Sequence, residues 1–242
     1  MSKPKILTLD IETSPHDAYV WNLWGDNVSL SRLKTPTKML CWAAKFVGEK
    51  PVYRSFRDPD FLPLLREMLN GADIVVTYNG SKFDMLHVNR EFAEADIPPA
   101  RPCAHIDLLA VVKKTFKFPS NRLEYVAKVL LDIHKLDTGG FGLWPAFMKG
   151  DEKAQRLMQR YNVQDVRVTE RLYLFLRPWI KNHPYAGGQV PEIDDYEEPY
   201  ECRACGSRSQ TLHRPRRTRC YAIRVLECKD CGHWHDGKRR KL

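Results

Sequence analysis

The pattern of apolar and polar positions opens on a strand. Residues 5–12 read Lys-Ile-Leu-Thr-Leu-Asp-Ile-Glu, apolar until acids enter at the end. Residues 39–47 and 51–56 are further strand candidates, with Gly48 between them at a hairpin position. Residues 60–69 have helical apolar spacing and meet a stop at Asn70-Gly71. Residues 73–78 form a short, nearly continuous apolar run, as in a strand buried on both faces. An amphipathic helix follows over 83–95, closed by Pro98-Pro99, and then a short strand over 105–108 leading into helix over 108–114. Residues 121–131 place Leu123, Val126, Ala127 and Leu130 on one stripe, and a long helical region covers 151–176 before Pro178. Strands first, then strands alternating with helices, predict an α/β fold with a mixed sheet flanked by helices.

Composition narrows the class. With 43% hydrophobic residues the chain can bury a core, which excludes a wholly disordered protein. No apolar run approaches the roughly 20 residues of a membrane span. Met1-Ser2-Lys3-Pro4-Lys5 leads into a strand rather than a signal peptide, so an intracellular location, cytoplasmic or nucleoid-associated, is expected. Residues 181–199 hold three prolines, a Gly-Gly pair and an acidic run, the composition of a linker. The expected organisation is a catalytic domain over 1–180, a linker over 181–199 and a small module over 200–242.

The formal charge is +9, unevenly spread. Residues 200–242 carry 12 Lys and Arg against 4 Asp and Glu, whereas the rest of the chain carries 27 against 26. A small basic module on a near-neutral body suits an electrostatic grip on a polyanion, with a solubilising tail as the alternative. The same segment holds Cys202-Arg-Ala-Cys205-Gly206 and Cys228-Lys-Asp-Cys231-Gly232. The two-residue gap lets both thiolates of a pair reach one ion, and each glycine can take the positive φ that such a turn favours. Four thiolates suit a closed, structural Zn²⁺ site, which a segment this short needs for want of a core. The module resembles a zinc ribbon. Cys220, His213, His233 and His235 are spare candidates, expected to be bystanders. Arg214, Arg216, Arg217 and Arg219, with Lys238, Arg239, Arg240 and Lys241, could contact phosphates; docking on a protein partner is the alternative.

Carboxylates fall where elements end. Asp10 and Glu12 are two apart on the first strand, so both point to one face. Asp84 opens a helix just after the buried strand over 73–78. Asp165 lies on the last helix with Tyr161 one turn before it. If these acids converge, their repulsion requires cations, and oxygen-only ligation suits Mg²⁺ or Mn²⁺.

These residues carry a family likeness. Asp10-Ile11-Glu12-Thr13 resembles the first motif of the DEDD 3′→5′ exonucleases. Tyr78-Asn79-Gly80-Ser81-Lys82-Phe83-Asp84 resembles the second, and Tyr161-Asn162-Val163-Gln164-Asp165 the third in its tyrosine-containing form. The set is most similar to the proofreading exonuclease domain of family B DNA polymerases. The resemblance implies a ribonuclease H-like fold and a two-metal mechanism yielding 5′-mononucleotides. Asp10, Glu12 and Asp165 would hold one ion, Asp10 and Asp84 the second. Tyr161 would orient the attacking water, and Asn79 and Phe83 would contact substrate. Single-stranded or frayed DNA is the expected substrate from this likeness alone; an exoribonuclease and a non-catalytic nucleic-acid-binding or partner-docking protein are the alternatives. No polymerase module fits within the chain, so a proofreading role would call for a replication or repair partner.

Weaker features remain open. Lys113, Lys114 and Lys117 interleave with Phe116 and Phe118 ahead of Asn121-Arg122. The rings are expected to pack inward, the alternative being a track for a single strand. Trp21 and Trp24 either stack a terminal base or anchor their loop in the core. Cys41 and Cys103 read as small buried apolar residues.

Overall fold

The structure, a computed structural model, describes residues 4–25, 27–101, 103–134, 136–181, 183, 201–217 and 221–241. Its main sheet has five strands: β1 (Ile6–Thr13), β4 (Met39–Phe46), β5 (Val52–Ser55), β6 (Ile74–Thr77) and β7 (Ala104–Asp107), in the order β5-β4-β1-β6-β7. β4 runs antiparallel to β1 and to β5, whereas β1, β6 and β7 are parallel. The sheet is therefore mixed, with β1 at its centre. Gly48 turns the β4–β5 hairpin with φ +87°.

Helices cover both faces. On one side, α1 (Phe61–Gly71) and α2 (Asp84–Glu94) bury Leu65, Leu69, Val88 and Phe92 against Leu7, Leu9 and Ile11 of β1. On the other lie α3 (Leu108–Thr115), α4 (Leu123–Leu131), α5 (Leu143–Lys149) and α6 (Glu152–Leu176). There Leu172, Tyr173 and Leu176 of α6 pack with Ile6, Ile74 and Val76. Strand alternation explains the division, because odd residues of β1 face α1 and α2 and even residues face α6. Deep in that second layer Lys45 Nζ meets Glu170 Oε1 at 2.5 Å and ties β4 to α6.

The pattern over 151–176 yields one 25-residue helix, with the Asp151 side chain accepting from Ala154 N at its start. α1 ends at Gly71, within the expected Asn70-Gly71 stop. Two elements were not expected. α5 carries Pro145 in its first turn, where no intrahelical N–H is lost. A two-stranded ribbon of β2 (Asp17–Ala18) and β3 (Leu33–Thr35) shapes the loop after β1.

At the C-terminal end, β8 (Gln210–Arg217), β9 (Tyr221–Cys228) and β10 (Trp234–Lys241) form an antiparallel sheet in the order β10-β9-β8. The linker expected over 181–199 falls, apart from Lys181 and His183, outside the described residues. So do Arg219 and Cys220. The side chains of His213, Arg214, Arg216, Arg217, Lys238, Arg240 and Lys241 are likewise not described. No helix among the described residues is long and apolar enough to cross a membrane.

Candidate active site

Thr8, Asp10 and Glu12 share the β1 face that looks toward α6. Thr8 is fully buried and donates from Oγ1 to Lys45 O at 3.0 Å, so the acids begin where the strand leaves the core. Residue 165 of α6 comes over the same end. As a result, one ligand oxygen from each of Asp10, Glu12 and Asp165 lies within 4.8 Å of the others. Asp84 stands outside that set. It is buried at the start of α2, and its Oδ1 accepts from Ile11 N at 3.1 Å.

Two neighbours hold the acids in place. Asn162, one turn before Val166 on α6 and fully buried, donates from Nδ2 to Asp10 Oδ2 at 2.6 Å and to Asp10 O at 3.2 Å. Trp144 of α5 donates from Nε1 to Glu12 Oε2 at 3.2 Å and packs edge-on against Tyr161, with ring centroids 6.2 Å apart. Neither donor brings positive charge. Burial pushes the Asp10 carboxyl well above the usual carboxylate range, and the charges of Asp165, Asp84 and Glu12 push it the same way against the Asn162 hydrogen bond. Burial also pushes Asp84 up to about 7, despite backbone N–H groups at its own helix start and at Ile11; the charge of Asp107 adds to the rise. Crowded carboxylates that raise one another's pKa suit a hard divalent cation with oxygen ligands. The donor set fits such a metal site.

Tyr161 is mostly buried, and burial, followed by Asp165, Glu12 and Asp10, pushes its hydroxyl far above the usual phenol range. It therefore stays protonated as a hydrogen-bond donor, and it bonds Asp165.

The turn between β6 and α2 sets the second acid. Asn79 takes φ +72°, a left-handed conformation that asparagine tolerates. Gly80 has no room for a side chain, since a Cβ there would come within 2.2 Å of Thr77 Oγ1. Asp107 pins the turn from β7: its carboxylate accepts from Asn79 N at 2.9 Å, from Ser81 N at 3.2 Å and from Ser81 Oγ. It also caps α3 by accepting from Leu109 N at 3.0 Å.

A cleft of about 650 Å³ opens beside Asp165 and Tyr161. Asn79, Lys113, Asn121, Arg122, His134 and Gln164 are among its lining residues. Phe83 is not; half-exposed, it stands edge-on to His87 with centroids 4.6 Å apart. Phe116 and Phe118 stack on each other at 5.3 Å and pack against the core, as expected, while Lys113 faces the cleft. Trp21 and Trp24 are 87% and 90% exposed, so neither anchors its loop in the core. Cys41 is buried and Cys103 half-buried.

Sequence reasoning missed Asn162, Trp144 and Asp107. Asn162 sits inside the third motif next to Tyr161, and that adjacency was the one available signal. The other two carry no local mark.

At the C-terminal end, the sulfurs of Cys202, Cys205, Cys228 and Cys231 lie within 4.8 Å of one another. Gly206 and Gly232 take φ +75° and +68°, and each donates its N–H back to the first cysteine's carbonyl, at 2.7 and 2.8 Å. His233 and His235 are buried outside this set, and His235 Nε2 meets Gln210 Oε1 at 3.1 Å. Four converging sulfurs fit a metal site and a small zinc-binding region.

A mixed sheet with paired acids at the end of its central strand, and a helix bringing a third acid across it, is a ribonuclease H-like arrangement. The chain belongs to the RNase_H superfamily, whose family model matches residues 7–177. In fold it is similar to the family B DNA polymerase from the hyperthermophilic archaeon Pyrobaculum calidifontis, with a TM-score of 0.53 and 18% identity. That likeness covers 72% of this chain and 25% of the polymerase, so the chain spans about a quarter of the polymerase's length. No curated protein sequence matches the chain. Superfamily membership and the carboxylate cluster together support a nuclease that uses divalent metal.

Proposed function

We propose that this chain is a metal-dependent 3′→5′ exonuclease that hydrolyses single-stranded or frayed DNA to 5′-mononucleotides. The observation that carries the reading is the meeting of Asp10, Glu12 and Asp165 oxygens within 4.8 Å. Asp10, Glu12 and Asp165 would hold one Mg²⁺ or Mn²⁺, and Asp10 with Asp84 a second. Bound there, such a pair supplies Lewis acidity toward the attacking water and the departing oxygen. Asn162 and Trp144 keep Asp10 and Glu12 in the orientation that this requires. Tyr161, as a protonated donor, aims the water rather than taking its proton. Asn79 contacts the terminal nucleotide from the cleft wall, and Phe83 contacts it from the start of α2.

In this reading residues 1–180 form the catalytic domain, 181–199 a linker and 200–242 a basic ribbon held by one structural Zn²⁺. The DNA preference rests on the motif likeness to family B proofreading domains, and the polymerase of similar fold supports it.

The test is a 5′-labelled oligonucleotide incubated with Mg²⁺ or Mn²⁺, with matched DNA and RNA in parallel. Progressive shortening from the 3′ end is expected, faster on DNA. Asp10→Ala should reduce cleavage to background while circular dichroism stays unchanged. Full activity in that variant would mean that the acids are not the metal site. An oligomer that shifts on a gel but is never shortened would overturn the enzymatic reading, and faster RNA cleavage would overturn the substrate.

A further inference from the structure

The long helix α6 has an outer face that the proposed catalytic site leaves unused. Lys153, Arg156, Arg160, Arg167 and Arg171 are all exposed. At 3.6 residues per turn they fall within about 60° of one another around the helix axis. Together they make a stripe about 27 Å long, at a rise of 1.5 Å per residue. It lies opposite the buried Met158, Thr169, Leu172 and Leu176, which face the sheet. Arg156 is paired, at 3.3 Å, with Glu152 in an exposed contact. Among the described residues Arg160, Arg167 and Arg171 enter no ion pair. Glu170, the acid next to Arg171 on α6, is turned inward to Lys45, and Asp165 belongs to the carboxylate cluster.

A charged outer face is ordinary for an amphipathic helix, but such faces usually mix signs. Here, Glu152 beside Arg156 apart, one sign is collected on a body of otherwise balanced charge. Outside residues 200–242 the chain has 27 basic and 26 acidic residues, so gathering five cations on one face leaves the remainder net acidic. A predominantly basic stripe on such a body is a directed field for a polyanion.

Its position supplies the second half of the argument. Gln164 sits on the same stripe between Arg160 and Arg167 and also lines the cleft beside Asp165. A strand leaving that cleft past Gln164 therefore meets arginines on either side, about 6 Å and 4.5 Å along the axis. Along the helix axis successive members of the stripe are spaced about 4.5 to 10.5 Å apart.

We infer that the Lys153–Arg171 face of α6 is a phosphate track that holds the nucleic-acid backbone upstream of the end being cut. The inference rests on the nucleic-acid substrate in the proposed function and adds where that substrate lies. It is separate from the C-terminal ribbon, which meets α6 elsewhere: Arg177 donates to Ala204 O, and Tyr173 reaches Arg203 O through His183.

The test measures binding rather than cleavage, so its failure is distinct from failure of the nuclease reading. Affinity of the full chain carrying Asp10→Ala for a single-stranded oligonucleotide is followed by fluorescence anisotropy across a salt series. The comparison protein adds Arg156→Gln, Arg160→Gln, Arg167→Gln and Arg171→Gln. All four sites are exposed, so folding should be kept, and circular dichroism checks it. The slope of log K against log salt should become shallower by about 0.7 for each arginine engaged, or about 2.8 for all four. An unchanged slope would overturn the track. So would polyglutamate of matched charge binding as tightly as the oligonucleotide, since the face would then be a generic acidic-partner surface. If the slope falls while the unsubstituted chain cleaves nothing, the track stands and the nuclease reading fails.

Discussion

Asn162 decides how Asp10 presents itself. The amide is fully buried and grips both the carboxylate and the backbone carbonyl of the same residue, at 2.6 and 3.2 Å. It makes no claim on a metal, yet it sets which oxygen of Asp10 is left to face the cluster. Removing a group that orients a metal ligand typically changes metal affinity or activity by about 10–100-fold. Asn162→Ala should therefore lower cleavage by about 10–100-fold and raise the Mn²⁺ concentration needed for half-maximal rate. A metal titration under steady-state conditions checks this. An unchanged titration with reduced stability would make Asn162 a packing residue only. Tyr161 illustrates the same scale from the other side. Burial and the charges of Asp165, Glu12 and Asp10 favour its protonated form, in which a phenol donates a hydrogen bond.

At the scale of elements, Asp107 ends β7, caps α3 and clamps the turn that carries Asn79 and leads into Asp84. Burial alone would raise its pKa, but the Ser81 hydroxyl and the N–H groups of Asn79, Ser81 and Leu109 prevail and hold it below the usual carboxylate range. The folded-state value lies below the unfolded one, so the stabilisation is full above the unfolded pKa. It is lost as pH falls through the folded value, which places the loss below about pH 4. Asp107→Asn should remove that acid-side dependence and cost about 1–3 kcal/mol at neutral pH, because an amide cannot serve all four donors. Urea unfolding from pH 3 to 7 reads both effects. Parallel curves for the two proteins would show that the clamp contributes nothing ionic. Most elements were legible from periodicity, including β1, α2, α4 and the full 25 residues of α6. α5 was not, since seven residues with a proline and two flanking glycines carry too little periodicity to register. Trp144, which reaches Glu12, was hidden with it.

For the whole molecule, the question is how the C-terminal unit joins the rest. His183 Nδ1 donates to Arg203 O at 2.9 Å, and its Nε2 accepts from the Tyr173 hydroxyl at 2.8 Å. Arg177 donates to Ala204 O, and Pro178 packs near Gly232. The first cysteine turn is thus seated on the end of α6 through its own carbonyls, and whatever folds that turn also seats it. The protein is expected to hold one Zn²⁺ per chain by elemental analysis. Removal by a chelator should speed hydrogen exchange over 201–232 while the five-stranded sheet stays protected, because four thiolates with zinc stand in for the missing core. Unaltered exchange, or no zinc in the purified chain, would refute the metal's structural role.

Local chemistry was enough to mark the acids and cysteines that the structure brings together. Alternation along β1 put Asp10 and Glu12 on one face, helical spacing put Tyr161 above Asp165, and the cysteine spacing marked two turns, all properties of short segments. What only the tertiary structure decided is who stands beside them. Asn162 meets Asp10 across 152 positions, Trp144 meets Glu12 across 132, and Asp107 meets Asn79 across 28. Those pairs depend on the strand order and on which face each helix covers. That arrangement is settled by burying both sides of one sheet at once, a condition on the whole chain that no local pattern states.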